Sequence, residues 1–277
     1  MSESAPWITL RVWAGLERGA VIAALFDAGA EGLQELGECL VTQGRDQAAI
    51  DELSSAARAV NPSARIETEP LANVDWSVQW RQSIRVQTIG ALTVAPPWLR
   101  SGLDAARTIV IDPGMAFGTG DHATTRGVIR LLQQVIHAGD RVADLGAGSA
   151  ILSIAAAKRG AVYVAAIELD PDAIGNAEEN VRRNGVGDRV TVIEGDAATL
   201  LPLVAPVRVI LANIISSVLV ELLPSFALVL PDDGRAVLSG MLLSERLELI
   251  RELSDAGWRI EAEDQEGAWW SATIARL

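Results

Sequence analysis

Cysteine and histidine are scarce in this sequence of 277 residues. The one cysteine, Cys39, excludes a disulfide within the chain, and with only His122 and His137 beside it the usual ligands of a structural zinc site are missing. No apolar run approaches the roughly 18 residues of a membrane helix, and the first residues lack the basic start and apolar core of a signal peptide. We therefore expect a cytoplasmic protein without a metal site or membrane contact.

Positive charge is also scarce. Lys and Arg total 23 against 36 Asp and Glu, which gives a net charge of −13, and the one lysine is Lys158. Such a surface repels the phosphates of nucleic acid and suits a basic protein partner. We expect no direct binding of nucleic acid.

Two domains and a linker are indicated by the patterns along the chain. Residues 1–70 show the order β-α-β-β-α-β, which is typical of a ferredoxin-like module, and they hold no catalytic cluster. This segment is therefore predicted to recognise a substrate. Residues 71–110 are predicted to be a linker, in which Trp76 and Trp80 lie on one face of a short helix.

Residues 111–277 alternate between strand and helix, which predicts an α/β domain with a mostly parallel, doubly wound sheet. The last two of seven predicted strands have no helix between them, so they are expected to form an antiparallel hairpin around Glu266 and Gly267. The predicted strands are 141–145, 163–168, 189–194, 208–213, 235–239, 258–263 and 269–275.

A glycine-rich turn follows the first of these strands. Gly146 and Gly148 are the first two glycines of a dinucleotide fingerprint, but the third position holds Ile151, which weakens a nicotinamide-binding interpretation. With Asp144 before the glycines and the small Ala150 after them, the turn resembles the first motif of Rossmann-like methyltransferases. The cofactor of those enzymes, S-adenosylmethionine (AdoMet), carries an amine and a sulfonium, which an acidic residue attracts.

Polar residues also stand at the ends of the next strands. Glu168 ends the second strand, where a carboxylate can accept hydrogen bonds from both ribose hydroxyls, although it can instead cap the following helix. Asp196 follows the third strand and either approaches the adenine amino group or serves as a turn residue. Asn213 ends the fourth strand, where its amide can orient a nucleophilic amine or cap the next helix.

The most specific stretch runs from Asp112 to Thr125 and reads DPGMAFGTGDHATT. With this stretch the chain resembles the ribosomal protein L11 methyltransferases, and the resemblance covers most of the chain. It implies a class I, Rossmann-like AdoMet-dependent enzyme that methylates lysine side-chain and N-terminal amines of ribosomal protein L11. It also implies cofactor-binding positions at Thr125, Gly146, Glu168 and Asn213, and a ferredoxin-like domain that grips the substrate. Asn213 is also the predicted catalytic residue, from its place at the end of the fourth strand. We expect a monomer, because a swinging recognition domain needs free surface.

The sequence departs from the family pattern at several positions. Ala150 replaces the third glycine of the loop, Glu168 replaces the commoner Asp, Arg208 opens the fourth strand in place of an acidic residue, and Asp121 replaces another polar residue. His122 invites a general-base role, but we favour the interpretation that it orders its loop by hydrogen bonding.

Four other functions are weighed against this one. A methyltransferase of a different protein lysine is the first alternative, and residues 1–70 favour the ribosomal target over it. A nucleic-acid methyltransferase is opposed by the charge and by the absence of an Asn-Pro-Pro-aromatic motif after Asn213. A non-catalytic AdoMet-binding module is opposed by Asn213 and the loop around Phe117. A nicotinamide oxidoreductase is opposed by Ile151.

Overall fold

The computed structural model describes residues 7–30, 32–70, 84–112 and 120–277. The chain divides into two compact units, Met1–Ser83 and Ile84–Leu277. Within the described ranges, no helix has both the length and the apolar character needed to cross a membrane. Trp76 and Trp80, predicted to share a helix face, fall outside the described residues.

The first unit is a four-stranded antiparallel sheet with two helices. Its elements are β1 (Ile8–Trp13), α1 (Arg18–Asp27), β2 (Gln34–Leu36), β3 (Cys39–Gly44), α2 (Gln47–Val60) and β4 (Arg65–Pro70). The strand order β2-β3-β1-β4 confirms the predicted ferredoxin-like arrangement. Alternate residues of β1, Leu10 and Val12, pack with Leu25 of α1 and Ile50 of α2 in a core of their own.

Residues 84–110, which the sequence analysis assigns to the linker, fold with the second unit, so this part of the prediction is corrected. They form β5 (Gln87–Ile89), β6 (Leu92–Ala95) and β7 (Thr108–Val110), a small sheet of its own. The Gln133 side chain donates to the carbonyl of Ile89 at 2.9 Å and accepts from the amide of Ala91 at 2.7 Å. These bonds, together with the buried side chains of the small sheet, anchor the segment on the larger domain.

A seven-stranded sheet forms the centre of the second unit. Its elements are α3 (Ala123–Val135), β8 (Arg141–Leu145), α4 (Ile151–Lys158), β9 (Tyr163–Glu168), α5 (Pro171–Arg183), β10 (Val190–Glu194), α6 (Ala197–Leu200), β11 (Val209–Asn213), α7 (Ser216–Val229), β12 (Arg235–Leu242), α8 (Arg246–Asp255), β13 (Trp258–Glu266) and β14 (Trp269–Arg276). The order is β10-β9-β8-β11-β12-β14-β13, with only β14 and β13 running antiparallel to their neighbours. The doubly wound sheet and its terminal hairpin are therefore confirmed.

Both faces of this sheet are buried, which is why its central strands are almost wholly apolar. Along β11, Val209 and Leu211 pack toward α3, α4 and α5, while Ile210 and Ala212 pack toward α7 and α8. The carboxyl ends of β8, β9 and β11 consequently lie at one edge of the sheet, where parallel folds bind their ligands.

Arg208, one of the departures from the family pattern, lies at the opposite edge. Its guanidinium donates to both carboxylate oxygens of Asp140, at 2.6 and 2.7 Å. The pKa of the Asp140 carboxyl is lowered because hydrogen bonds from Arg208 and from the backbone of His137 outweigh desolvation. Arg208 is thus part of a structural ion pair at the amino ends of the strands.

Candidate active site

The glycine loop leaves β8 in a succession of left-handed backbone conformations. Gly146 and Gly148 have φ angles of +69° and +53°. The amides of Gly146 and Ala147 both donate to the carbonyl of Ile167, at 2.9 and 3.0 Å, so the loop is pinned to the end of β9. A Cβ at Gly146 would lie 2.5 Å from Cγ2 of Ile214. Glycine is therefore required here by conformation and by space.

Ala150 adopts the conformation for which the family uses glycine. Its φ is +62°, and it is fully buried immediately before α4. Left-handed backbone costs an L-residue roughly 1–2 kcal/mol, while the buried methyl recovers about 0.8 kcal/mol. Ala150 therefore leaves some backbone strain in the loop.

Asp144 lies beneath this loop as a completely buried carboxyl group. Its Oδ2 accepts a hydrogen bond from the Ser153 hydroxyl at 2.6 Å. Its Oδ1 is buried without a hydrogen-bond partner. Desolvation raises the pKa of Asp144 to about 7, Ser153 opposes the rise, and the charge of Glu168 adds to it. A buried, half-satisfied carboxyl group is costly, and a cationic ligand would repay that cost.

Glu168 lies at the end of β9 and faces the same loop. Its Oε2 accepts from the amide of Gly148 at 2.7 Å, and its Oε1 accepts from the amide of Asp170 at 2.9 Å. Asp170, and not Glu168, caps the following helix, because the Asp170 side chain accepts from the amide of Asp172 at 2.9 Å. A carboxylate has about four acceptor positions, so two remain for the hydroxyls of a ribose.

Asn213 and Thr125 are brought together although 88 residues separate them. The Asn213 amide Nδ2 donates to the hydroxyl of Thr125 at 3.4 Å. Thr125 is fully buried in the first turn of α3, and Asn213 is partly exposed at the end of β11. The helix α7 is capped at Ile215 without a side-chain bond, so Asn213 does not have the capping role considered as an alternative.

The residue that follows Asn213, Ile214, packs between Gly146 and Gly240. Gly240 was missed as a site residue. Gly240 stands at a bulge of β12 with φ of +85°, and a Cβ there would lie 2.2 Å from the carbonyl oxygen of Ile214. The amide of Ile214 in turn donates to the carbonyl of Ser239 at 3.2 Å. Gly240 therefore fixes the backbone that carries Asn213. A glycine inside a strand pattern is a signal for such a bulge.

Asn180 was also missed as a site residue. This fully buried residue of α5 donates from Nδ2 to the carbonyl of Ser149 at 3.1 Å. Its Oδ1 accepts from the amide of Asp112 at 3.1 Å and from Arg183 at 2.8 Å. Asn180 thus joins the glycine loop to the first residue of the 112–125 motif.

The helix that carries Thr125 is fastened at its start. His122 is its N-cap, with Nδ1 2.7 Å from the Thr124 hydroxyl, and its ring packs edge-on against Trp269 at 4.9 Å. Arg126 donates to the carboxylate of Glu266, and Arg130 lies 2.8 Å from the same carboxylate. The pKa of Glu266 is lowered to about 2, chiefly by its bonds to Arg126 and Arg130. His122 therefore orders this helix start by hydrogen bonding, as the sequence analysis favoured.

The remaining predicted residues have structural contacts or are not described. Asp196 caps α6 by accepting from the amide of Thr199 at 2.9 Å, which is the turn role, and its contact with adenine stays a prediction. Asp121 hydrogen-bonds to Gln87. Phe117 lies with its neighbours 113–119 outside the described residues. The described ranges contain no group of three or more His, Cys, Asp and Glu side chains arranged to hold a metal ion.

A chain of contacts thus joins all four residues that the sequence assigns to the cofactor. Thr125 touches Asn213, the residue after Asn213 packs on Gly146, and the loop of Gly146 bonds to Glu168. The site offers the buried carboxyl group of Asp144, the carboxylate of Glu168 with acceptor positions left, and a glycine loop without basic residues among these contacts. These features fit AdoMet, which has a sulfonium, an ammonium and ribose hydroxyls but no phosphate, better than they fit a dinucleotide.

Comparisons with known proteins agree with this geometry. A sequence model of the ribosomal protein L11 methyltransferase (PrmA) family matches residues 21–276. The ribosomal protein L11 methyltransferase of Synechococcus sp. is 36% identical over 233 residues, which cover 82% of this chain and 77% of the relative. That of Symbiobacterium thermophilum is 36% identical over 251 residues, covering 88% and 78%. The crystal structure of ribosomal protein L11 methylase from Lactobacillus delbrueckii subsp. bulgaricus has a TM-score of 0.63 and 29% identity, covering 70% of this chain and 99% of that one.

Proposed function

The chain belongs to the ribosomal protein L11 methyltransferase family of AdoMet-dependent enzymes, and from that premise we propose that its Asn213 positions an amine of ribosomal protein L11 for methylation. The proposed acceptors are lysine side-chain amines and the N-terminal α-amine. The single observation that carries the proposal is the bond from Asn213 to the buried hydroxyl of Thr125, beside the glycine loop.

This bond supports a role for the other end of the amide in meeting the substrate. Because Nδ2 of Asn213 donates to Thr125, the carbonyl Oδ1 is the end left to accept a hydrogen from an incoming amine. The accepted N–H fixes the direction of the nitrogen lone pair, and such positioning contributes several kcal/mol to a transfer step. When bound, AdoMet supplies an electrophilic methyl group. The amine must first lose its ammonium proton to water, which a desolvated cleft beside a sulfonium favours.

Three residues are proposed to hold the cofactor beside Asn213. Glu168 accepts from the ribose hydroxyls with the acceptor positions that Gly148 and Asp170 leave unused. Gly146 keeps the loop beside the ligand in its conformation, because a Cβ there would collide with Ile214. Asp144 supplies negative charge beneath the loop, where its buried carboxyl group has an oxygen without a partner.

The first unit is proposed to recognise the basic ribosomal protein, with residues 71–83 as the linker. Residues 1–70 include 11 acidic and 5 basic residues. On the sheet face not packed against α1 and α2, Glu69 lies 2.7 Å from Arg11 and Glu67 pairs with Arg65. Negative charge on this unit steers a basic substrate toward the enzyme, most strongly at low salt. We further propose that the enzyme acts as a monomer in the cytoplasm and binds protein, not nucleic acid.

Mass spectrometry of purified ribosomal protein L11 after incubation with the enzyme and AdoMet tests this proposal. Mass gains in steps of one methyl group are expected with the native chain. They should be lost with Asn213→Ala and kept with Ser217→Ala, a matched change at an exposed position in the first turn of α7. No gain on L11 while AdoMet binds by calorimetry would refute the substrate. Equal gains with Asn213→Ala would refute the role of Asn213.

A further inference from the structure

A cavity of about 420 Å³ lies in the second unit between the segment 97–108 and the ends of α4 and α5. Its lining includes the three cations Arg100, Lys158 and Arg183, and none of its described lining residues is acidic. This lining is basic although the chain as a whole has 36 acidic and only 23 basic residues. A fixed positive field in a concave site attracts anions.

Two of the three cations, Lys158 and Arg100, have hydrogen-bond donors that are available for an anion. Arg183 is already paired, because its guanidinium lies 2.6 Å from Glu179 and 3.4 Å from Asp112. Lys158 uses one of its three donors on the carbonyl of Ala105 at 2.8 Å. Arg100 forms no ion pair or side-chain hydrogen bond with the described part of the chain, and it is exposed at the rim.

The surroundings of Lys158 indicate a charge that lacks a counter-ion. Burial lowers the pKa of the Lys158 ammonium, repulsion from Arg189 lowers it further, and Asp104 opposes both effects. Asp104 itself lies 3.8 Å from Arg107. An anion in the cavity would relieve the repulsion that Lys158 now experiences.

The C-terminal ends of two helices beside the cavity contribute negative charge, which is smaller than the positive charge of the lining cations. Both α4 and α5 end here, and each C-terminus carries roughly half a negative charge. Two full charges, on Lys158 and Arg100, exceed this sum without counting the paired Arg183. The charges of these two lining cations therefore outweigh those of the helix ends.

The lining also provides hydroxyl and apolar groups. Ser101 and Thr108 contribute hydroxyls, and Pro97 and Leu103 contribute apolar surface. The volume lies within the range of about 300–1,000 Å³ typical of small-molecule sites and exceeds what one oxyanion fills. We propose that this cavity binds a phosphorylated small molecule of mononucleotide size, with its phosphate on Arg100 and Lys158 and its organic part on the apolar wall.

The chain offers an unusually clean probe of this site, because Lys158 is its one lysine. Full-length protein labelled with 13C-lysine gives one set of lysine side-chain resonances by NMR. We expect saturable shifts of Lys158 on adding UMP, weaker shifts with inorganic phosphate, and none with uridine or with sodium chloride at equal ionic strength. UMP is chosen because its pyrimidine differs from the adenine of AdoMet. The pKa of Lys158 should rise when UMP is bound.

Arg100→Gln should weaken UMP binding about tenfold or more, the cost of one charge-assisted contact. Arg182→Gln is the control, since Arg182 is an exposed arginine in the last turn of α5 that does not line the cavity. No saturable shift with UMP or phosphate overturns the proposal, as does equal binding by uridine. Binding of a single-stranded RNA without binding of UMP also overturns it, because the occupant would then be a macromolecule.

Discussion

Replacement of Gly240 by alanine should slow methyl transfer while changing AdoMet affinity much less. The new Cβ would lie 2.2 Å from the carbonyl oxygen of Ile214, 2.7 Å from its carbonyl carbon and 3.0 Å from its amide nitrogen. All three are backbone atoms, so no side-chain rotation relieves the overlap. The peptide after Asn213 must move by about 1 Å to restore ordinary contact distances.

The magnitude follows from two separate costs. Left-handed backbone at φ +85° costs an alanine roughly 1–2 kcal/mol of folding stability. A shift of about 1 Å in a positioning residue lowers a catalysed rate by up to about 10²-fold. We therefore expect kcat for L11 to fall by about 10- to 100-fold, while AdoMet affinity changes much less because Asp144 and Glu168 stay in place.

Gly257→Ala is the matched control, because Gly257 has φ of +84° but no atom within 4 Å of an added Cβ. It carries the same backbone strain without the collision. Thermal unfolding, AdoMet calorimetry and steady-state methylation of L11 would be measured for both variants. If both retain the same kcat, the position of the Ile214 peptide does not limit transfer and the reasoning fails.

Three further predictions concern carboxyl groups. Glu168→Gln should lower AdoMet affinity by about tenfold in calorimetry, with the exposed Glu178→Gln unchanged, because charged acceptors bind hydroxyls more strongly; equal affinities would contradict the ribose role. Asp144, with its pKa raised to about 7, should make AdoMet bind more strongly as pH rises through 7, and the free energy of unfolding of the ligand-free protein should fall as pH rises from about 4 to 7. Asp144→Asn should remove both trends in calorimetry and denaturant titrations, and their persistence would assign them to another group. Glu266, with its pKa lowered to about 2, should stabilise the fold fully above pH 4.5 and lose this effect as pH falls through 2; Glu266→Gln should flatten that slope in denaturant titrations, and an unchanged slope would show that its bonds to Arg126 and Arg130 do not stabilise the native state.

The fold was largely predictable because its patterns are local. Apolar strands ending in Leu145, Glu168 and Asn213 alternate with amphipathic helices, and these three strands begin and end within one residue of their predicted limits. β12 and β13 each end three residues later than predicted. The linker was predicted too long because residues 84–110 hold short strands, whose packing on Gln133 depends on residues far along the chain. Short apolar strands give a weak periodic signal when read alone.

Site residues at the carboxyl ends of strands could be predicted from the sequence, whereas Asn180, on the helix α5, was not. Thr125 and Asn213 meet as the family resemblance implies, but their chemical roles stay predictions. Asn180 was missed because its partners lie in distant loops. It interrupts the buried face of α5 formed with Ala173 and Ala177, and a polar residue on an apolar helix face is a signal that could have identified it.

The separate hydrophobic cores of the two units have a thermodynamic consequence. In the described part of the chain, the core around Leu10 and Ile50 shares no residue with the two cores that flank the large sheet. Heating is therefore expected to melt the protein in two steps, so a single midpoint does not describe its stability. Because all the residues proposed to bind AdoMet lie in the second unit, AdoMet should raise the midpoint of one transition and leave the other in place. With recognition proposed for the first unit and transfer for the second, a mutation that destabilises one core is expected to affect one of these functions more than the other.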